Sequence, residues 1–125
     1  RGLDNVKWAI LLGLNQGVTT HLIAGGKDVD LGRLIERQVV PVLPDDTLLD
    51  VHLRIQNTEL EMMVRAVEKI GQPAAESYTF RRFKDRGTYR ACVPPEIEER
   101  LLEQFREYRD GWRSKNAREP VGEDW

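Results

Sequence analysis

Residues 44–71 constrain the fold of this 125-residue chain more than any other stretch. Pro44-Asp45-Asp46-Thr47 is a helix start, with Asp46 placed to cap it through its side-chain oxygen. The helix runs to Ile70, Gly71 closes it and Pro73 lies just beyond. Leu48, Val51, Ile55, Met62, Ala66 and Ile70 form its apolar stripe. Glu59 breaks that stripe, standing four residues after Ile55 and three before Met62. A carboxylate on a core-facing position costs stability unless something compensates it. Gln56 and His52 precede it at helical spacing, so the three form a polar strip beside the stripe. Two readings are open for Glu59. It reaches the rim, solvated or paired with Arg54 or Arg65, or it faces a cleft and holds a ligand's hydroxyls.

The surface that such a helix must cover lies upstream. Val18–Ile23 is rich in β-branched residues and bounded by glycines, which reads as a strand. Arg37–Leu43 reads as a second strand, and Pro41, which cannot donate to a ladder, makes it an edge strand or one paired on a single side there. Between them lie a Gly25-Gly26-Lys27 loop and an Asp-Val-Asp-Leu-Gly turn at Asp28–Gly32. Leu3–Leu14 reads as a helix capped by Asp4 and stopped by Asn15-Gln16-Gly17, apolar over so wide an arc that it is expected to be covered on most sides. After Gly71, Ser77–Phe83 is a short strand or an extended arm, and Arg81–Arg90 form a basic cluster. Pro94-Pro95 then open an amphipathic helix with Ile97, Leu101, Phe105, Tyr108 and Trp112 at three- and four-residue spacing. The class is α/β, with few strands flanked by helices.

Composition removes several functions. A net charge of −2 supplies no global field for nucleic acid or for an anionic membrane. The single cysteine, Cys92, excludes an internal disulfide and a Cys-based metal site, and suits a reducing compartment. No apolar run approaches the roughly 18 residues of a membrane helix, so a cytoplasmic protein is expected. His21 and His52 are too far apart in sequence to argue a metal site. No phosphate-binding glycine fingerprint, Gly-x-Ser-x-Gly elbow or Cys–His pair is present. The remaining chemistry sits at the hairpin. From spacing alone, Asp30 is either a turn carboxylate accepting from local N–H groups or a general acid–base carboxylate at a strand's end. His21 is either a hydrogen-bonded structural residue or a support for that site. The basic cluster is a solvated arm or a phosphate contact.

Taken together, these segments resemble the folate-dependent formyltransferases over Arg1 to about Ile70. Arg1-Gly2 with Trp8-Ala9-Ile10 and Gly13 looks like the family's Arg-Gly…Trp-Ala-Ile…Gly helix. Gly17-Val18-Thr19-Thr20-His21 resembles its Gly-x-Thr-x-His strand, and Asp30-Leu31-Gly32 with Leu34-Ile35 its Asp-x-Gly-x-Ile turn. Val40-Pro41-Val42 and Asp46-Thr47 match the strand and helix start that follow. Arg54-Ile55-Gln56 and Glu59 look most like the Arg-Val-Gln-x-x-Glu segment of phosphoribosylglycinamide formyltransferase, whereas the Arg-Gly…Trp-Ala-Ile helix looks more like the methionyl-tRNA and amino-sugar enzymes. The His21-to-Asp30 spacing is about two residues longer than in the glycinamide ribonucleotide enzymes, and the region after Gly71 has no clear match.

The resemblance implies a partial formyltransferase-like (Rossmann-like) domain. Residues 1–75 would form the C-terminal half of the catalytic domain, 76–113 an arm and amphipathic helix of the same domain, and 114–125 a polar tail. It implies 10-formyltetrahydrofolate as formyl donor, with Val29 and Asp30 at the folate, Asp30 and His21 catalytic, Gln56 and Glu59 on the acceptor, and no metal. The acceptor would be a small-molecule amine, leaning to glycinamide ribonucleotide and so to purine biosynthesis. The alternatives are a methionyl-tRNA or amino-sugar formyltransferase fragment, a formyltetrahydrofolate hydrolase, or a non-catalytic folate-binding module of the same fold. The family's Asn-x-His pair precedes the Arg-Gly position, so upstream residues are expected to complete the site. Without them the chain is expected to self-associate through an exposed sheet edge. No membrane partner is expected, nor any nucleic acid other than tRNA in the alternative.

Overall fold

The computed structural model describes residues 3–23, 33–70 and 90–116, with side chains left out at 33 and 113–116. Among them the elements are α1 (Asn5–Leu11), β1 (Gly17–Leu22), β2 (Arg33–Val39), α2 (Leu48–Ile70), α3 (Pro95–Glu98) and α4 (Leu101–Asn116). β1 and β2 pair antiparallel from Gly17↔Val39 to Leu22↔Arg33. The expected mixed α/β unit is present. The described strands form a two-stranded sheet, without a Rossmann-like arrangement.

β2 begins four residues before the sequence pattern places it and ends before Pro41. The reason is the hairpin register, which commits Arg33 to Val39 to β1. Val40 still donates its N–H to the Gln16 carbonyl at 2.9 Å. Beyond that bond the chain stays extended without a ladder, burying Val40 and Val42 and exposing Pro41 and Leu43. Pro41 therefore sits where no N–H is needed.

α2 starts one residue later than Asp46 would allow as a cap. Thr47 is the cap: its Oγ1 accepts from the Asp50 N–H at 3.2 Å, and the Asp50 carboxylate accepts from the Thr47 N–H at 2.7 Å. That reciprocal pair is a capping box, with Asp50 in the Glu/Gln place. α1 is also differently bounded. Asp4 precedes it with a left-handed backbone, φ 54°, and makes no side-chain cap; its carboxylate accepts from the Val93 N–H at 3.0 Å instead. The helix stops at Gly13, not at Asn15-Gln16-Gly17. Gly13 takes φ 65°, and Leu14 N–H reaches back to the Ala9 carbonyl at 2.8 Å, the closing bond of a Schellman turn. Only Ile10 of α1 is buried, so the helix is not covered on most sides.

The core joins Ile10, Val18, Val40, Val42, Val51, Ile55 and Met62 to Leu101, Phe105 and Trp112 of α4. The single helix expected from Pro95 is split: Arg100 N–H bonds the Ile97 carbonyl, an i−3 contact that tightens the turn between α3 and α4. α4 then continues to Asn116, past the start of the expected tail. Residues 90–93 tie this region to α1. Trp8 donates its indole N–H to the Ala91 carbonyl at 2.7 Å, and Arg90 stacks over the Trp8 ring at 5.0 Å. The short strand or arm at Ser77–Phe83, and the basic cluster up to residue 89, lie outside the described residues.

Met62 is fully buried beneath α2, whereas Leu60 is 68% exposed. Met62→Ala is expected to lower the unfolding free energy by about 2–5 kcal/mol, and Leu60→Ala to change it by about 0.5 kcal/mol or less. Urea denaturation reads both; equal effects would mean that α2 is rotated from this placement.

Candidate functional site

β1 delivers the first predicted residue. Val18 and Thr20 are buried on the side of the sheet that α2 covers, and the Thr20 hydroxyl donates to the Glu36 carbonyl at 3.5 Å. The register then slips: Thr20 pairs with Glu36 but His21 with Leu34, leaving Ile35 as the extra residue on β2. Such a bulge bends the strand and re-aims the next side chain. His21 stands at the slip, half-buried, where β1 approaches the segment joining it to β2. Val29 and Asp30 belong to that joining segment and lie outside the described residues.

α2 delivers Gln56 and Glu59. Both are exposed, and among the described residues neither makes a hydrogen bond or ion pair. Glu59 therefore does not occupy the core stripe. Thr58 does, at 7% exposed, in the buried series Val51, Ile55, Thr58, Met62, Ala66. Its hydroxyl donates to the Arg54 carbonyl at 2.9 Å, so a polar group enters the core with its hydrogen bond made. Glu59 lies one residue, about 100°, further round the helix. Gln56 and Glu59 remain three apart on one face and present a carboxamide and a carboxylate together to solvent. That pair can hold vicinal hydroxyls or an amine. His52, the third member of the polar strip, is half-buried with Nδ1 2.9 Å from the Leu48 carbonyl.

Arg54, which the sequence pattern groups with Gln56 and Glu59, has a different task. Its guanidinium donates to both Asp46 oxygens at 2.5 and 2.7 Å and to the Pro41 carbonyl at 2.8 Å. It locks the rotation of α2 against the loop before it. Asp46 also accepts from the Leu43 N–H at 2.7 Å. The Arg54 pair holds the Asp46 carboxyl below the usual carboxylate range, against the effect of its burial. Further along, Arg65 donates to Glu36 at 3.0 Å and to Gln38 at 2.9 Å, and Lys69 reaches Glu36 at 3.2 Å. Glu36 is likewise depressed, first by its hydrogen bond from Arg65 and then by Lys69. These bonds fix α2 over the strand that leads into the site.

No hydrogen bond joins His21 to Gln56 or Glu59 among the described residues. Nor does a group of three or more His, Cys, Asp or Glu stand close enough there to hold a metal. A cleft of about 310 Å³ opens elsewhere, between α1 and α4, lined by Ile10, Leu11, Tyr108 and Trp112 among others. It lies near the start of β1, the end away from His21, where Tyr108 donates its hydroxyl to the Leu14 carbonyl at 2.6 Å. Burial pushes the Tyr108 phenol up to about 12, which keeps it a donor across the ordinary pH range. No described helix is long and apolar enough to cross a membrane.

Sequence reasoning missed the bulge and the Arg54–Asp46 lock. The lock has a signal, an Arg eight residues after an Asp that precedes a helix; the bulge has none.

The model of the family described as formyl transferase matches residues 1–67, which takes in α1, the β1–β2 hairpin and most of α2. No solved structure matches the chain.

The depressed carboxyls make stability pH-dependent with a definite sign. Glu36 and Asp46 bind fewer protons folded than unfolded in acid, so their contribution is complete above the unfolded-state values near pH 4 and is lost as pH falls through the folded ones. Glu36→Gln is expected to lower the urea midpoint at pH 7 and to flatten its decline below about pH 5. Identical acid limbs in the two proteins would show that Glu36 is not paired with Arg65 and Lys69 in solution.

Proposed function

Because this chain belongs to the formyl transferase family, we propose that residues 1–70 supply one wall of a site that moves a formyl group from 10-formyltetrahydrofolate to an amine, with glycinamide ribonucleotide as the acceptor. The observation that carries the reading is the family match over residues 1–67, which spans the His21 strand and both acceptor-side residues of α2.

In this reading the acceptor amine attacks the formyl carbon and a tetrahedral oxyanion forms. It collapses with loss of the folate nitrogen, which leaves with a proton. Asp30 takes the amine proton through a water and orients the imidazole that faces the oxyanion. His21, set by the bulge, supports Asp30. Gln56 and Glu59 hold the acceptor's hydroxyls; their exposure and their lack of partners among the described residues support this. Val29 and Asp30 meet the pterin. No Asn-x-His sequence occurs in the 125 residues, so the oxyanion-stabilising pair must come from elsewhere.

The Arg1-Gly2…Trp8-Ala9-Ile10 pattern favours a second acceptor, methionyl-tRNA or an amino sugar. Titration distinguishes the acceptors. Glycinamide ribonucleotide is expected to shift the backbone NMR signals of Gln56 and Glu59, and Glu59→Ala to weaken its binding at least about tenfold, the loss of a charged hydrogen bond. Shifts there with an amino sugar and none with the ribonucleotide would transfer the assignment to the second acceptor. With 10-formyltetrahydrofolate and the ribonucleotide, the 125 residues alone are expected to turn over at least about a thousandfold below the ordinary 10 s⁻¹. An ordinary rate of transfer would show that no outside Asn–His pair is required.

A further inference from the structure

α2 has two apolar faces, and among the described residues the core takes up one. Opposite the polar wedge from the core series, Leu49, Leu53, Leu60, Met63, Val67 and Ile70 are 45% to 68% exposed. With Gln56 among them, these positions follow one another at intervals of 4, 3, 4, 3, 4 and 3 residues. That is the heptad seam of helix-on-helix packing, sustained for about three heptads or roughly 32 Å. Exposed leucines scattered singly need no explanation, but a continuous apolar line along a whole helix marks an interaction surface. The period states the partner's shape: another helix lying along this one.

Charge states which kind of helix. The three basic residues of α2 are turned from the seam and engaged elsewhere, Arg54 with Asp46, and Arg65 and Lys69 with Glu36. The charges at the positions flanking the seam are Asp50 and Glu59; Arg54, Glu61 and Glu68 share the next position out, where Arg54 is engaged with Asp46. No Lys or Arg stands at a flank. A second copy of α2 lying antiparallel in full overlap would set Glu59 against its own counterpart, whereas flanking Lys or Arg would complement it. We propose that the exposed face of α2 docks an amphipathic helix whose own 4-3 apolar seam is bordered by Lys and Arg. Gln56, the one polar group in the seam, sets the register of that pairing, since a lone polar seam residue is satisfied in few alignments. This inference rests on the packing of α2; because the seam and its flank take in Gln56 and Glu59, a docked helix would occupy the face that the transfer reading gives to the acceptor.

Two synthetic 21-residue helical peptides test it, each with Leu at the seam positions, one with Lys and one with Glu at the flanks. Titrated into the 125-residue chain by fluorescence anisotropy, the Lys peptide is expected to bind at least tenfold more tightly than the Glu peptide, with the gap closing in 0.5 M salt. Leu60→Ser with Met63→Ser is expected to abolish binding of the Lys peptide while leaving the melting temperature within a few degrees, because both side chains are exposed. Equal affinity for the two peptides overturns the charge argument, and no binding of the Lys peptide at 100 µM overturns the docking face. A dimer of the chain alone, reverting to monomer in the double variant, makes a second copy the occupant and also overturns the proposal.

Discussion

The rotation of α2 about its own axis is the constraint from which the rest of this structure follows. Val51 and Met62 share one core with Val40, and all three are completely enclosed. Apolar burial alone fixes that rotation only loosely, because α2 is apolar on two sides. Arg54 removes the ambiguity. Its two bonds to Asp46 and its third to the Pro41 carbonyl hold one edge of the helix against the loop that precedes it. Arg65 and Lys69 do the same against Glu36 about three and four turns later along that edge. With the basic edge pinned, Thr58 points inward, Glu59 points outward, and the second apolar face is left open.

Three polar residues, Gln16, Asp46 and Thr58, enter the core with hydrogen bonds made. Gln16 is 3% exposed, but its side chain donates to the Val6 carbonyl at 3.2 Å and its own carbonyl accepts from Val40. Thr58 bonds within its helix, and Asp46, at 6% exposed, has a charged partner on both oxygens. A buried carboxylate held in this way is neutralised where it stands, and removing Arg54 would leave it uncompensated.

Much of this was legible in the residues. The two strands and the long helix are each announced by β-branched runs, a capping sequence and a closing glycine, and the structure places all three within a few residues. The failures share a cause. Thr58 and Glu59 both satisfy three- and four-residue spacing between Ile55 and Met62, and neither is apolar, so periodicity cannot choose between them. Asp46 and Thr47 are both good caps; Asp50, three residues after Thr47, decides by completing a box. Asp4 looks like a cap and is instead an acceptor for Val93, a residue 89 positions away. In each case a tertiary partner selects among locally equivalent options. The candidate site was named by family resemblance more than by pattern, and the bulge at His21 leaves no mark in composition.

The family match ends at residue 67, but the physical unit does not. Leu101, Phe105 and Trp112 share a core with Ile10, Val42 and Val51, so α4 closes the side of the matched segment that the hairpin leaves open. Two of its polar side chains brace the matched part directly: Tyr108 holds the Leu14 carbonyl where α1 turns toward β1, and Arg109 donates to the Asp46 carbonyl at 3.0 Å. The second contact falls on the very residue that Arg54 uses to set α2. The orientation of Gln56 and Glu59 thus depends on a helix outside the matched segment. A substitution in α4 such as Arg109→Ala would act on the Gln56–Glu59 face through Asp46 and Arg54, without touching either residue.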